Sequence, residues 1–159
     1  MTYAVVRVRG HVSLRAQIRD TLGYLRLHRT NHCVLLPKSP TTEGMLQRAK
    51  DYVTWGEVDP TVAAMLLLRR AEIGGRKPVD DAYVKANSKY ASINSFAKAL
   101  VAGQATLKDV KGLKPVIRLH PPRGGFEGIK RSYREGGALG YRGAEINVLL
   151  QRMIGPEGA

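Results

Sequence analysis

Residues 25–59 read LRLHRTNHCVLLPKSPTTEGMLQRAKDYVTWGEVD. Within that run, residues 31–36 (NHCVLL) are short, apolar and closed by Pro37, the composition of a buried strand. Residues 39–42 are turn chemistry, and Thr41 or Thr42 can cap a helix to about Asp51, with Met45, Leu46 and Ala49 turned inward. Residues 52–57 (YVTWGE) are β-branched and aromatic, so they read as another strand. Upstream, residues 3–8 alternate, with Ala4, Val6 and Val8 on one face and Tyr3, Val5 and Arg7 on the other. Gly10 ends that strand. Ser13 can cap a helix whose apolar stripe is Leu14, Ile18, Leu22 and Leu25, with Arg15, Arg19 and Arg26 in a narrow arc beside it and Gly23 weakening its end. Residues 3–57 therefore spell strand, helix, strand, helix, strand.

Downstream, Asp59-Pro60 supplies an N-cap and a proline at the first helical position, for a largely buried helix running to about Glu72 and stopped by Gly74-Gly75. A short helix follows from Asp80. Another starts at Ser92 or Asn94, uses Phe96, Leu100 and Val101, and ends at Gly103. Residues 116–119 read as a short strand. Residues 144–154 read as an amphipathic helix with Ile146, Leu149, Leu150 and Met153 on one side.

The chain has 159 residues, enough for one domain or a small domain with an extension, and 43% are hydrophobic. Lys and Arg outnumber Asp and Glu 26 to 13, which gives a net charge of +13. A field of that sign suits a polyanion, nucleic acid before a membrane surface. The longest apolar run, residues 62–68, is too short to span a bilayer, and arginines interrupt the N-terminal apolar stretch where a signal peptide would not carry them. The single cysteine, Cys33, cannot form an internal disulfide and suits a reducing compartment, so a cytoplasmic protein is expected.

The positive charge is clustered. Arg7, Arg9, Arg15, Arg19, Arg26 and Arg29 face one acid, Asp20, within residues 1–30. Lys114, Arg118, Arg123, Lys130, Arg131, Arg134 and Arg142 face only Glu127 and Glu135 within residues 114–142. The second cluster includes HPPRGGFEGIKRSYREGGALGYRG, residues 120–143, where seven glycines are interleaved with cations and with Phe126, Tyr133 and Tyr141. Glycine permits close backbone approach, arginine grips phosphate bidentately and aromatic rings stack on unpaired bases. The segment thus reads as an extended arm that becomes ordered on RNA.

Catalytic patterns are missing. The phosphate loop G-x-x-x-x-G-K-[ST] does not occur, and Gly124, Gly125 and Gly128 lack the G-x-G of a dinucleotide fingerprint. His11, His28, His32 and His120 have no metal-ligand spacing, while His32 and Cys33 fall on opposite faces of one strand. No nucleophile elbow or persuasive acid pair appears. The residues predict no enzyme, no metal, no cofactor and no small-molecule substrate.

Two long stretches carry a family resemblance: residues 25–59 as quoted, and RLHPPRGGFEGIKRSYREGGALGYRGAEINVLLQRM, residues 118–153. Over essentially its whole length the chain resembles the universal large-subunit ribosomal protein family called L-thirty in bacteria and L-seven in eukaryotes, in its archaeal form. The resemblance implies an α+β fold with a small ferredoxin-like βαβαβ core over residues 1–58, carrying a three-stranded antiparallel sheet of order 3-1-2. Residues 59–159 would add a helical extension with the basic glycine-rich arm at about 120–143. It further implies a non-enzymatic constituent of the cytoplasmic ribosome that binds large-subunit rRNA near 5S rRNA, beside neighbouring ribosomal proteins. The residues expected at the RNA are Arg7, Arg9, Arg15, Arg19, Arg26, Arg29, Arg118, Arg123, Lys130, Arg131, Arg134, Tyr141 and Arg142. The alternative is a free-standing RNA chaperone or nucleoid-type binding protein using the same charge without a single address.

Overall fold

The N-terminal alternation becomes the centre of a sheet. In the computed structural model, which describes residues 1–155, strand β1 (Thr2–Arg7) is buried at every position. Helix α1 (Ala16–Tyr24) leads to β2 (His32–Pro37), and α2 (Pro40–Ala49) leads to β3 (Val53–Glu57). Both β2 and β3 pair with β1 antiparallel. Alternation then divides the apolar side chains between two layers. Tyr3, Val5, Val34, Val53 and Trp55 pack with Leu22, Leu25, Leu46 and Ala49 of the α1–α2 region. Ala4, Val6, Cys33 and Leu35 face the opposite way.

That second face is covered by α3 (Pro60–Arg69), α5 (Ile93–Val101) and α6 (Ile146–Ile154), through Leu66, Phe96, Leu100, Ile146 and Leu150. Each fully buried side chain of this kind contributes about 1.5–3 kcal/mol relative to exposure. Between α3 and α5 lie a two-residue hairpin, β4 (Glu72–Ile73) with β5 (Lys77–Pro78), and the short α4 (Asp81–Asn87).

The fold is a mixed α+β fold, but the sheet has six strands rather than three. Strand β6 (Ile117–Arg118) adds antiparallel to β2, and β8 (Gly137–Tyr141) adds parallel to β3. Strand β7 (Gly128–Ser132) completes the order β6-β2-β1-β3-β8-β7. Residues 59–155 therefore supply three of the six strands and one helical layer. Ile117, Ile146 and Leu149 share one buried cluster with Ala4 and Val6.

The glycine-rich segment is part of this sheet and not a free arm. It forms β7, a 3-10 turn over Tyr133–Glu135, and β8, whose Gly137, Ala138 and Leu139 are buried. Glycine is needed there for space: a Cβ at Gly137 would overlap the Arg131 carbonyl. The same holds at Gly56, where a Cβ would overlap the Gly143 carbonyl.

Helix boundaries differ from the sequence reading for local reasons. Ser13 is in the left-handed region at φ 56°, which an N-cap does not adopt, and Arg15 takes that place. Ser39, not Thr41 or Thr42, caps α2 by accepting from the Thr42 N–H, with Pro40 in the first turn. Helix α3 ends at Arg69, and Gly74-Gly75 turn the β4–β5 hairpin instead of stopping a helix.

Candidate nucleic-acid interface

Two of the arginines expected at RNA are buried. Arg7 is 1% exposed and donates from Nη1 to the Leu27 carbonyl at 2.7 Å and from Nε to the Arg9 carbonyl at 2.9 Å. Arg142 is 6% exposed and donates from Nε to Thr54 Oγ1 and from Nη2 to the Ala138 carbonyl, both at 2.8 Å. Its guanidinium lies 5.0 Å over the Tyr133 ring. Burial lowers both guanidinium pKa values below their ordinary range, because a charge withdrawn from water is disfavoured unless fixed acceptors match it. These two side chains tie β1 to the turn before β2, and β8 to β3. Neither guanidinium is open to solvent in this fold, unlike the exposed cations expected at RNA.

The N-terminal arginines are not a helix stripe. Only Arg19 lies within α1. Arg15 is its N-cap, and Arg26 follows its end at φ 62°. There the Arg26 N–H reaches the Gly23 carbonyl and the Leu27 N–H reaches the Leu22 carbonyl, the reversal that normally favours glycine. Arg15, Arg19, Arg26 and Arg29 are exposed, while half-buried Arg9 stacks 5.0 Å over Tyr52. Arg19 does touch an acid, Asp20, at 3.9 Å, but the pair is open to solvent and so worth at most about 1 kcal/mol.

The tail cations are split by the sheet. Arg118 lies on β6 and Lys130 and Arg131 on β7, the two outer strands. Five strand spacings of about 4.8 Å put those strands about 24 Å apart. The chain between them is fastened to the end of α6. The His120 N–H bonds the Met153 carbonyl, the Arg123 N–H bonds the Arg152 carbonyl, and Arg152 Nε donates to the Arg123 carbonyl. Arg70 Nε donates to the Ile154 carbonyl at 2.6 Å, a cation placed at the negative end of a helix. Sequence reading missed Arg70 and Arg152, whose partners are distant in sequence: backbone carbonyls for both, and for Arg152 also the Glu127 carboxylate at 3.5 Å. It also missed a basic hollow of about 240 Å³ where Arg69, Arg70, Arg76 and His120 join Arg118. The Arg69-Arg70 pair just before the Gly-Gly turn was the available signal.

Arg123, Lys130, Arg131 and Arg134 are exposed. Tyr141 is 43% exposed, and its hydroxyl donates to the Glu57 carboxylate at 2.7 Å. That hydrogen bond, then burial, raises the phenol pKa. Phe126, expected to stack on a base, packs half-buried against Val8, Ala138 and Leu139 instead. Cys33 is buried and its thiol is pushed up to about 12 by that burial. Among the described residues, no group of three or more His, Cys, Asp or Glu could hold a metal ion, and no helix is long and apolar enough to cross a membrane.

Comparison with known proteins finds relatives along nearly the whole chain. The family profile described as ribosomal protein L30p/L7e matches residues 3–53. A protein of Methanocorpusculum labreanum named large ribosomal subunit protein uL30 is 52% identical over 151 residues, covering 95% of this chain and 99% of its own length. The protein of the same name from Methanopyrus kandleri is 53% identical over 149 residues, covering 92% and 100%. That from Methanosphaera stadtmanae is 48% identical over 152 residues, covering 96% and 99%.

Proposed function

The chain belongs to the ribosomal protein L30p/L7e family, and from that premise we propose that it is a structural, non-enzymatic constituent of the large ribosomal subunit. Its partners are large-subunit rRNA and neighbouring ribosomal proteins, and its place is the cytoplasmic ribosome. The observation that carries this reading is a set of exposed cations that the protein leaves unneutralised. Arg15, Arg26, Arg29, Arg118, Arg123, Lys130, Arg131 and Arg134 are exposed, and among the described residues none has an acidic partner within 4.0 Å. Such a surface repels itself until a polyanion neutralises it. Each phosphate contact releases counterions from the RNA, and folded RNA is recognised through its backbone, its shape and its unpaired bases.

Within this reading the contacts fall to those eight residues together with Arg9, Arg19 and Tyr141, while Arg7 and Arg142 hold the scaffold. The finer address, beside the docking region of 5S rRNA, rests on the family resemblance.

The test is sedimentation of a native lysate through a sucrose cushion at high salt. Stoichiometric recovery with large subunits is expected. Release into the soluble pool at moderate salt would favour the free RNA chaperone, because binding by charge alone falls about 10³–10⁵-fold between 50 and 200 mM salt for some 6–10 phosphate contacts.

A further inference from the structure

Helix α2 covers β1 and β3 on one face of the sheet, but β8 lies one strand farther out. The step between α2 and β8 opens a cleft of about 530 Å³, with Tyr3, Trp55 and Tyr141 in its wall. The three rings form one cluster: Tyr141 lies 6.4 Å from Tyr3 in an edge contact and 6.3 Å from Trp55 at a tilt of 49°. Both phenols are fixed by hydrogen bonds at their far ends, Tyr3 to Glu43 at 3.0 Å and Tyr141 to Glu57. Tyr141 is thus a rigid ring, backed by protein and open toward solvent, which is what a stacking platform requires.

The rim is basic. Lys38 lies 5.8 Å over the Tyr3 ring, and Arg134 borders the cleft. An adjoining hollow of about 240 Å³ shares Trp55, Arg134 and Tyr141 and adds Lys50. Gln47 lines both hollows and offers an amide to a base edge.

We propose that the cleft between α2 and β8 receives a single unpaired nucleotide of rRNA, its base stacked on Tyr141 and its flanking phosphates met by Lys38, Lys50 and Arg134. The proposal rests on the ribosomal reading and deepens it. A paired base hides both faces within its stack, so only a splayed-out nucleotide can enter.

Trp55 is the sole tryptophan of the chain, so its emission reports on the cleft. The full-length protein is titrated with a short RNA hairpin carrying unpaired loop nucleotides, and with a fully paired RNA duplex of equal length at the same salt. The hairpin should quench Trp55 and the duplex should not. Tyr141→Ala should weaken hairpin binding roughly 5- to 150-fold, the span of about 1–3 kcal/mol of base stacking, and leave duplex binding unchanged. Tyr141→Phe, which keeps the ring but loses the hydroxyl's bond to Glu57, should bind the hairpin more tightly than Tyr141→Ala. Equal quenching by the duplex, or undiminished hairpin binding by Tyr141→Ala, overturns the cleft. Should Tyr141→Ala misfold, the hairpin-against-duplex contrast in the wild type still decides. Recovery of the wild-type chain with large subunits is scored separately, so a failed cleft and a failed ribosomal reading give different results.

Discussion

Arg26 occupies the left-handed region at φ 62°, where a residue with a Cβ costs about 1–2 kcal/mol relative to glycine. Among the described residues no acidic partner offsets that cost, and the side chain is exposed. Arg26→Gly should therefore stabilise the free protein by about 1 kcal/mol, a rise of some 2–4 °C in Tm for a chain of this size. The same variant should bind rRNA more weakly, and calorimetry beside filter binding checks both signs. A second residue gives a pH dependence. His32 is half-buried next to Arg118, Arg29 and His28, and its Nδ1 has no hydrogen-bond partner among the described residues. Burial first, then the neighbouring cations, lowers its pKa below the ordinary 6.5. Below about pH 6.5 the unfolded chain therefore binds the imidazole proton more readily than the native state, so stability falls as pH falls through that range. His32→Gln should flatten the dependence of Tm on pH between about 5 and 7. The buried arginines show how little residue type says here. Arg7 and Arg142 look in the sequence like any other member of a basic cluster. Their acceptors, the Leu27 carbonyl and Thr54, lie 20 and 88 residues away and are fixed only by the folded turn and sheet.

At the scale of elements, legibility followed the range of the forces that make each one. Strands β1 to β3 and their intervening helices were readable because alternation, proline and turn residues act over a few positions. Strands β7 and β8 were not. Seven glycines erase any apolar alternation over residues 120–143, and β8 exists because it pairs with β3, where Thr54 meets Gly140 and Thr54 Oγ1 donates to the Gly140 carbonyl at 2.8 Å. One of those glycines, Gly137, serves close packing within the sheet rather than mobility. Gly137→Ala decides between the two roles. An arm that orders only on RNA would tolerate the methyl group in free solution. A strand pressed against the Arg131 carbonyl should lose about 1–3 kcal/mol to overpacking, read as a lower melting temperature of the protein without RNA. Gly56→Ala should behave in the same way, since its Cβ would meet the Gly143 carbonyl across the β3 contact.

At the scale of the whole molecule, the sheet separates the two halves of the C-terminal cation cluster, which the sequence places side by side. With β6 and β7 about 24 Å apart, one RNA phosphate cannot serve both edges, and on the proposed reading a tight complex holds RNA at each. Arg131→Ala with Arg134→Ala should weaken retention in the large subunit while leaving the free protein's melting unchanged, because both side chains are exposed. In the salt dependence of rRNA binding, that pair should reduce the slope of log K against log salt by about 1.4–1.8, since each phosphate contact contributes about 0.7–0.9. Arg118→Ala, at the opposite edge, should remove a further 0.7–0.9 or so. Sites this far apart with no shared partner act independently, so the losses in binding free energy should sum to within about 0.5 kcal/mol in the triple variant. If RNA instead engages one edge at a time, loss at one edge is made good by the other. The single-edge variants would then bind nearly as well as the wild type, and only the triple variant would fail. The additivity of the two edges thus distinguishes a brace clamped between two RNA segments from a basic surface with interchangeable sites.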